Sequence, residues 1–154
     1  PKCMDCPLEP ECLAARSGIP EVFAVRRGQK AQTRVQRKVA VVRDRQRVLL
    51  FRRPEESGQL AGMWELPWAD QNSDTSPESS FSSRYGGRWR FGIRLGRVRH
   101  SITNRVFDVE IVQGELQTTN ELAEGTEAGW FAEHELETLA VSSLVRKVLL
   151  AVAT

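Results

Sequence analysis

Residues 48–68 read VLLFRRPEESGQLAGMWELPW, an aliphatic run closed by two arginines and a proline, a polar stretch, and a second apolar run ending in Leu66-Pro67-Trp68. Val48–Arg53 suits a strand, and Pro54, which has no N–H to give to a ladder, ends it. Glu55–Gly58 forms a polar loop before Leu60–Pro67. On the other side, Val39–Arg43 is a second β-prone run, and the polar stretch Asp44–Arg47 between the two predicts a hairpin. Upstream of Val39, residues 16–37 are polar and basic, contain Gly18, Pro20 and Gly28 and keep no period, which predicts a linker. Residues 1–15 form a separate cysteine-bearing segment, and the globular domain is expected over 38–154.

Downstream, Asp70–Ser80 is rich in Ser, Asp and Asn, and predicts a mobile loop leading into a short helix near Pro77–Tyr85. Trp89, Phe91, Ile93 and Leu95 then alternate with Arg90, Gly92, Arg94 and Gly96, the mark of a half-buried strand over Trp89–Arg97 with a positive outer side. Phe107, Val109 and Ile111 alternate with Asp108 and Glu110 in the next strand. Gly114 precedes a turn-rich acidic stretch. Trp130 and Phe131 start a last short strand, followed by a helix over about Glu133–Leu139. In the final helix, capped by Ser142 or Ser143, the residues Leu144, Val145, Val148, Leu149 and Val152 fall on one face. Interleaved strands and helices with a hairpin predict an α+β fold, a mixed sheet covered by helices.

The chain has 154 residues, 40% hydrophobic and 27% charged, enough to bury one core without disulfides. The longest apolar stretch, Val148–Ala153, is too short to span a bilayer, so no membrane role is expected. Formal net charge is only +2, but the charges are sorted. Arg26–Arg53 carries eleven Lys or Arg and one acid, Asp44; Arg84–Arg105 carries seven Arg and no acid; Asp108–Glu137 carries nine acids and no Lys or Arg. Such segregation builds either one positive and one negative face, the footprint of a protein that meets phosphate backbones in one orientation, or a set of solvated strand faces.

Cys3, Cys6 and Cys12 are the three cysteines of the chain. Their clustering and odd number favour metal ligation in a reducing compartment over disulfides, and a thiolate cage normally takes four ligands. A fourth ligand is therefore expected before Pro1, which would make the chain the C-terminal portion of a larger protein.

PKCMDCPLEPEC, the basic connector, VLLFRRPEESGQLAGMWELPW, VRHSITNRVFDVEIV and GWFAEHELETLA, in this order, resemble the C-terminal part of a MutY-type adenine DNA glycosylase. The resemblance implies several things. Cys3, Cys6 and Cys12 would complete a [4Fe–4S] site whose first ligand lies six residues before Cys3. The catalytic helix-hairpin-helix domain would lie upstream, and the globular part would have a Nudix-like fold. The implied function is base-excision repair: the upstream glycosylase domain removes adenine mispaired with 8-oxoguanine while this portion reads the damaged partner base in double-stranded DNA. A cytoplasmic setting, on the nucleoid in a bacterium, would follow.

The resemblance also places a lesion-reading loop, His-x-Phe-Ser-His in the family, at His100-Ser101-Ile102-Thr103-Asn104. Here His100 matches, while Ile102, Thr103 and Asn104 stand for Phe, Ser and the second His. Thr103 and Asn104 keep polar groups for a base edge, and Ile102 can wedge at a base step. Alternatively, Thr103-Asn104 is a simple hairpin turn with His100 packed at a strand end. Arg94, Arg97, Arg99 and Arg105 would contact phosphates. Arg52 and Arg53 could face either the linker or DNA.

Hydrolytic members of the Nudix superfamily need a helix of the form Arg-Glu-aliphatic-x-Glu-Glu-x-Gly to hold Mg²⁺. The nearest match, Ser79-Ser80-Phe81-Ser82-Ser83-Arg84-Tyr85-Gly86, has Ser or Arg at each carboxylate position. Binding rather than diphosphate hydrolysis is the expectation. A free-standing nucleotide pyrophosphohydrolase and a protein-interaction domain are the rivals.

Overall fold

The computed structural model describes residues 1–23, 31–71, 75–118 and 121–153. Two compact units divide the chain, Pro1–Ala31 and Gln32–Thr154. In the first, short 3₁₀ turns at Cys3–Asp5, Glu9–Glu11 and Pro20–Phe23 flank a one-turn helix α1, Leu13–Arg16. None of its described residues is buried. It has no apolar core of its own, and local hydrogen bonds such as Cys6 N–H to Cys3 O at 3.0 Å hold its turns. Residues 24–30 of the expected linker, 72–74 of the expected mobile loop and 119–120 of the acidic stretch lie outside the described residues.

The second unit is built on strands β1 (Thr33–Val41), β2 (Arg43–Asp44), β3 (Arg47–Arg52), β4 (Trp64–Glu65), β5 (Trp68–Asp70), β6 (Trp89–Ile102), β7 (Arg105–Leu116) and β8 (Glu127–Ala132), with helices α2 (Pro77–Tyr85) and α3 (Ser143–Ala151). One four-stranded sheet has the order β5-β1-β7-β6, with β1 and β7 parallel and the other pairs antiparallel. The smaller sheet runs β2-β3-β4, with β8 added on β3. This is the mixed sheet with flanking helices that the α+β expectation described.

Two apolar clusters lie on opposite faces of the large sheet. On the α3 side, Val39, Val41, Phe107, Val109 and Ile111 pack with Leu50, Val145 and Val148. On the α2 side, Ala40, Val42 and Val112 pack with Phe51, Phe81, Tyr85 and Trp89. The period of two along β1 and β7 divides their residues between the clusters. Ser76 caps α2 through its hydroxyl, which accepts from Ser79 N–H at 3.2 Å, and Gly86 at φ +75° ends it. Ser142 caps α3.

Four elements depart from the sequence expectation. β1 begins at Thr33, so the last residues of the stretch expected as linker are sheet; their pairing with Arg105–Val109 compensates for a basic, aperiodic sequence. β8 begins at Glu127 rather than Trp130, and the expected helix after it is a 3₁₀ segment, Glu133–Glu137.

The fourth departure is β6. It runs on to Ile102, and its register against β7 shifts between Phe91 and Arg94 and again between Arg94 and Gly96. The strict alternation therefore breaks: Phe91 packs on the α2 side, Leu95 on the α3 side, and Ile93 is 69% exposed. The two successive one-residue shifts of this bulge cancel, so only the stretch between them is re-aimed, and from Arg97 on the strand keeps the facing that alternation from Trp89 gives. Arg94, Arg97 and Arg99 stand opposite Val112, Glu110 and Asp108, all on the α2-side face of β7. In an unbroken strand, Arg94 would point to the other side from Arg97 and Arg99.

Candidate functional site

On the α3 side, a cleft of about 490 Å³ opens between the segment after β3, the end of β6 and the start of α3. Leu60, Met63, Trp68 and Leu144 supply apolar walls, and Arg53 and Glu65 supply charge. Glu65 is the electrostatic node. Its carboxylate accepts from Arg53 Nη1 at 2.9 Å and lies 3.5 Å from Arg84 Nη2, with only 13% of its side chain exposed.

Arg84 reaches this position from α2. Its guanidinium lies 3.7 Å from the Trp68 ring centroid, and Arg37 contributes a second guanidinium at 3.5 Å. Arg37 is itself held by Asp70 through Nε at 2.8 Å and Nη2 at 3.3 Å. The Tyr85 hydroxyl accepts from Trp68 N–H at 3.0 Å, and burial pushes its pKa far above the usual phenol value. Together these contacts tie α2 to β4 and β5 through arginine–aromatic and arginine–carboxylate pairs. In α2 the one acid is Glu78, in the first turn, and among the described residues no three His, Cys, Asp or Glu side chains gather to hold a metal ion.

β6 and β7 meet at a two-residue turn, Thr103-Asn104, closed by the Ile102–Arg105 pair. Thr103 has φ +52°, which a β-branched residue adopts under strain. Its hydroxyl donates to Ile102 O at 2.7 Å. Asn104 O accepts from Thr33 N–H at 2.8 Å, anchoring the tip to the start of β1. Of the lesion-loop candidates, His100, Ser101 and Ile102 line the cleft, while Thr103 and Asn104 form the tip beyond it. Burial first, then the positive charge of Lys147, hold His100 below the ordinary imidazole pKa. Lys147 also donates to Arg99 O at 2.7 Å, joining α3 to β6.

The four candidate phosphate contacts divide. Arg94 and Arg105 are exposed. Arg97 and Arg99 are exposed as well, but both reach back to Asp108, Arg99 through Nε at 3.1 Å and Arg97 through Nη2 at 3.8 Å. Asp108 is 6% exposed, and the arginines hold its carboxyl below the usual range, the Arg99 hydrogen bond contributing most. Asp108 and Glu65 carry the charge geometry, and both were missed as site residues. Counting three positions back and three forward from the turn's closing pair puts Arg99 opposite Asp108, a cross-strand opposite-charge pair that the turn alone would reveal.

Arg53 faces Glu65 and the cleft, whereas Arg52 pairs with Glu55 and Glu127. Cys6 is exposed and Cys3 and Cys12 are half-buried, all three as free thiols. Among the described residues no group of three His, Cys, Asp or Glu gathers around them. The iron–sulfur cluster implied by the resemblance therefore enters no step below.

Residues 38–151 match the NUDIX domain family. The chain belongs to that family. Among solved structures, the MutT protein of Methanosarcina mazei Go1 is 20% identical with a TM-score of 0.66, over 79% of this chain and 94% of that one. A NUDIX hydrolase from Nitrosomonas europaea is 14% identical with a TM-score of 0.58, over 77% and 88%. The C-terminal domain of mouse MUTYH, in a complex with human PCNA, is 26% identical with a TM-score of 0.53, over 76% and 86%. The first two likenesses concern the fold. No helix among the described residues is long and apolar enough to cross a membrane.

Proposed function

We propose that this Nudix domain is a reader of damaged DNA rather than a diphosphate hydrolase. It would form the C-terminal part of an adenine glycosylase and check for 8-oxoguanine opposite the adenine that an upstream domain excises. One observation carries the reading: the β6–β7 hairpin presents His100, Ser101 and Ile102 at the rim of the main cleft, with the Thr103-Asn104 turn braced by β1 beyond them. A polar tip on a long paired ribbon, held at both strands, is a pre-organised probe for a base edge.

The chemistry of α2 supports a binding role. Where diphosphate hydrolysis needs clustered carboxylates, α2 offers Ser79, Ser80, Ser82 and Ser83, and Arg84 is committed to Glu65 and Trp68. Splitting excision from reading has a physical reason: the excised adenine is undamaged, so selectivity comes from its partner.

The test is the affinity of the full-length protein for duplexes containing 8-oxoguanine:adenine against guanine:adenine. Thr103→Ala with Asn104→Ala is expected to lower the ratio of the two; an unchanged ratio refutes the tip assignment. Magnesium-dependent hydrolysis of an oxidised deoxynucleoside triphosphate by this chain, abolished by Glu78→Gln, would establish the hydrolase reading instead.

A further inference from the structure

The α2-side face of the large sheet is covered by α2 only towards Ala40, Val112 and Trp89. Beyond them it presents polar side chains. Register places Arg34, Gln36 and Lys38 of β1, Asp108 and Glu110 of β7, and Arg97 and Arg99 of β6 on this face, with Arg94 brought to it by the bulge. Five cations thus share it with two carboxylates.

Both carboxylates are already engaged within the face, so they offset two of the five charges and leave a positive surplus. Asp108 is covered, and Glu110 is engaged by Lys38 at 3.4 Å and by Gln71 Nε2 at 2.9 Å. The side chains of Arg97 and Arg99 remain 54% and 65% exposed. Each guanidinium has five N–H donors in a planar fork, and the contacts with Asp108 use only one nitrogen of each. The other donors are left for a second anion.

We propose that Arg34, Arg94, Arg97 and Arg99 form a phosphodiester-binding face on the side of the sheet opposite the cleft, and that Asp108 is its built-in counterion. Asp108 aligns Arg97 and Arg99 side by side, where the two like charges would otherwise drive them apart. It also cancels one positive charge, which limits the grip on undamaged duplex. The choice of duplex DNA as the polyanion rests on the proposed function above. The geometry of the face does not depend on the hairpin tip.

The two effects of Asp108 separate in a salt titration. The log of the association constant falls with log salt by about 0.9 for each phosphate neutralised on a duplex. With the intact chain and an undamaged duplex, Arg97→Ala/Arg99→Ala is expected to flatten this slope by roughly 1 to 2 and to weaken damaged and undamaged duplexes by the same factor. Arg97→Lys/Arg99→Lys, which keeps the charges, should restore most of the slope. Asp108→Asn should steepen the slope by up to about 0.9 and tighten binding to undamaged duplex several-fold.

A wild-type slope in the double alanine variant overturns the proposal. So does weaker binding by Asp108→Asn without a steeper slope, which would mark Asp108 as a folding residue only. If the slope responds as expected while the tip variants leave the damaged-to-undamaged ratio unchanged, the phosphate face stands and the lesion reading falls. A tip-dependent ratio with an unresponsive slope gives the reverse.

Discussion

Replacing Glu65 tests whether the buried Arg53–Glu65 pair, with Arg84 at its edge, carries stability. Glu65→Ala removes the shared partner of Arg53 and Arg84, at 2.9 and 3.5 Å, from a position where the carboxylate side chain is 13% exposed and that of Arg53 is 20% exposed. Breaking a buried ion pair by deleting one member costs about 3–5 kcal/mol, because the surviving charge stays desolvated and unpaired. Arg84 is 40% exposed and can turn to water, so its share is small and the lower end, about 3 kcal/mol, is expected. For the unit Gln32–Thr154, near the middle of the usual domain size range, each kcal/mol moves the melting temperature by about 4 °C, so the variant should melt roughly 12 °C lower. Urea unfolding with two-state analysis gives the free energy, and an unchanged m-value confirms that the same structure unfolds. A double-mutant cycle with Arg84→Ala should show coupling below about 1 kcal/mol, and one with Arg53→Ala clearly more. A loss under about 1 kcal/mol for Glu65→Ala would refute the reading of Arg53–Glu65 as a stabilising buried pair.

Phe81→Ala deletes a ring with 0% exposure that lies 5.1 Å from Trp89 and 4.9 Å from Phe91, and should cost about 3–5 kcal/mol in chemical denaturation. Thr103→Gly relieves the φ +52° strain against the extra chain entropy of glycine, and should raise stability by about 0.5 kcal/mol; a loss above about 1 kcal/mol would give the hydroxyl bond to Ile102 O priority over strain. The pKa of Asp108 is depressed chiefly by Arg99, so its contribution to stability is present above the unfolded carboxyl pKa near 3.9 and is lost as pH falls through the lower folded value. Urea midpoints for Asp108→Asn should therefore fall less steeply below about pH 4 than wild-type midpoints do. His100, depressed by burial and Lys147, should titrate below the free imidazole value near 6.5 in an NMR experiment, and a midpoint at or above that value would contradict its placement.

Local chemistry made several elements readable before any coordinates. The polar stretch Asp44–Arg47 did mark a hairpin, with Arg45 at φ +55° in its turn. The helix expected near Pro77–Tyr85 is α2, and of the two serines offered as caps for the last helix, Ser142 caps α3. Each of these signals lies within a few residues of its effect. The features that escaped depend on partners far away in sequence. β1 runs through Arg34, Gln36 and Lys38 because β7 supplies a parallel ladder, and residues on the open face need not be apolar. The bulge in β6 is invisible to a rule that counts by two, and that rule put Arg94 on the wrong side. The proposed function rests on the hairpin, through its position in a resemblance. Asp108 was hidden because, in isolation, an acid on the polar side of a strand looks like solvated surface.

The bulge also bears on how the two proposed surfaces divide their work. Without it, Arg94 would stand on the α3 side, apart from Arg97 and Arg99. With it, the exposed guanidiniums Arg94, Arg97 and Arg99 gather on the α2 side, while the tip meets the cleft on the α3 side. A duplex held through its backbone on one face would then leave the tip free to approach a base edge from one direction. Arg94 alone of the three owes its facing to the irregularity, since Arg97 and Arg99 stand on the face that alternation from Trp89 also gives. Arg94→Ala should therefore flatten the salt dependence of duplex binding by up to about 0.9, the effect of one lost phosphate contact. Stability should stay near wild type, because the Arg94 side chain is exposed. A wild-type salt slope in this variant would show that the irregular stretch does not bring Arg94 to the phosphate face.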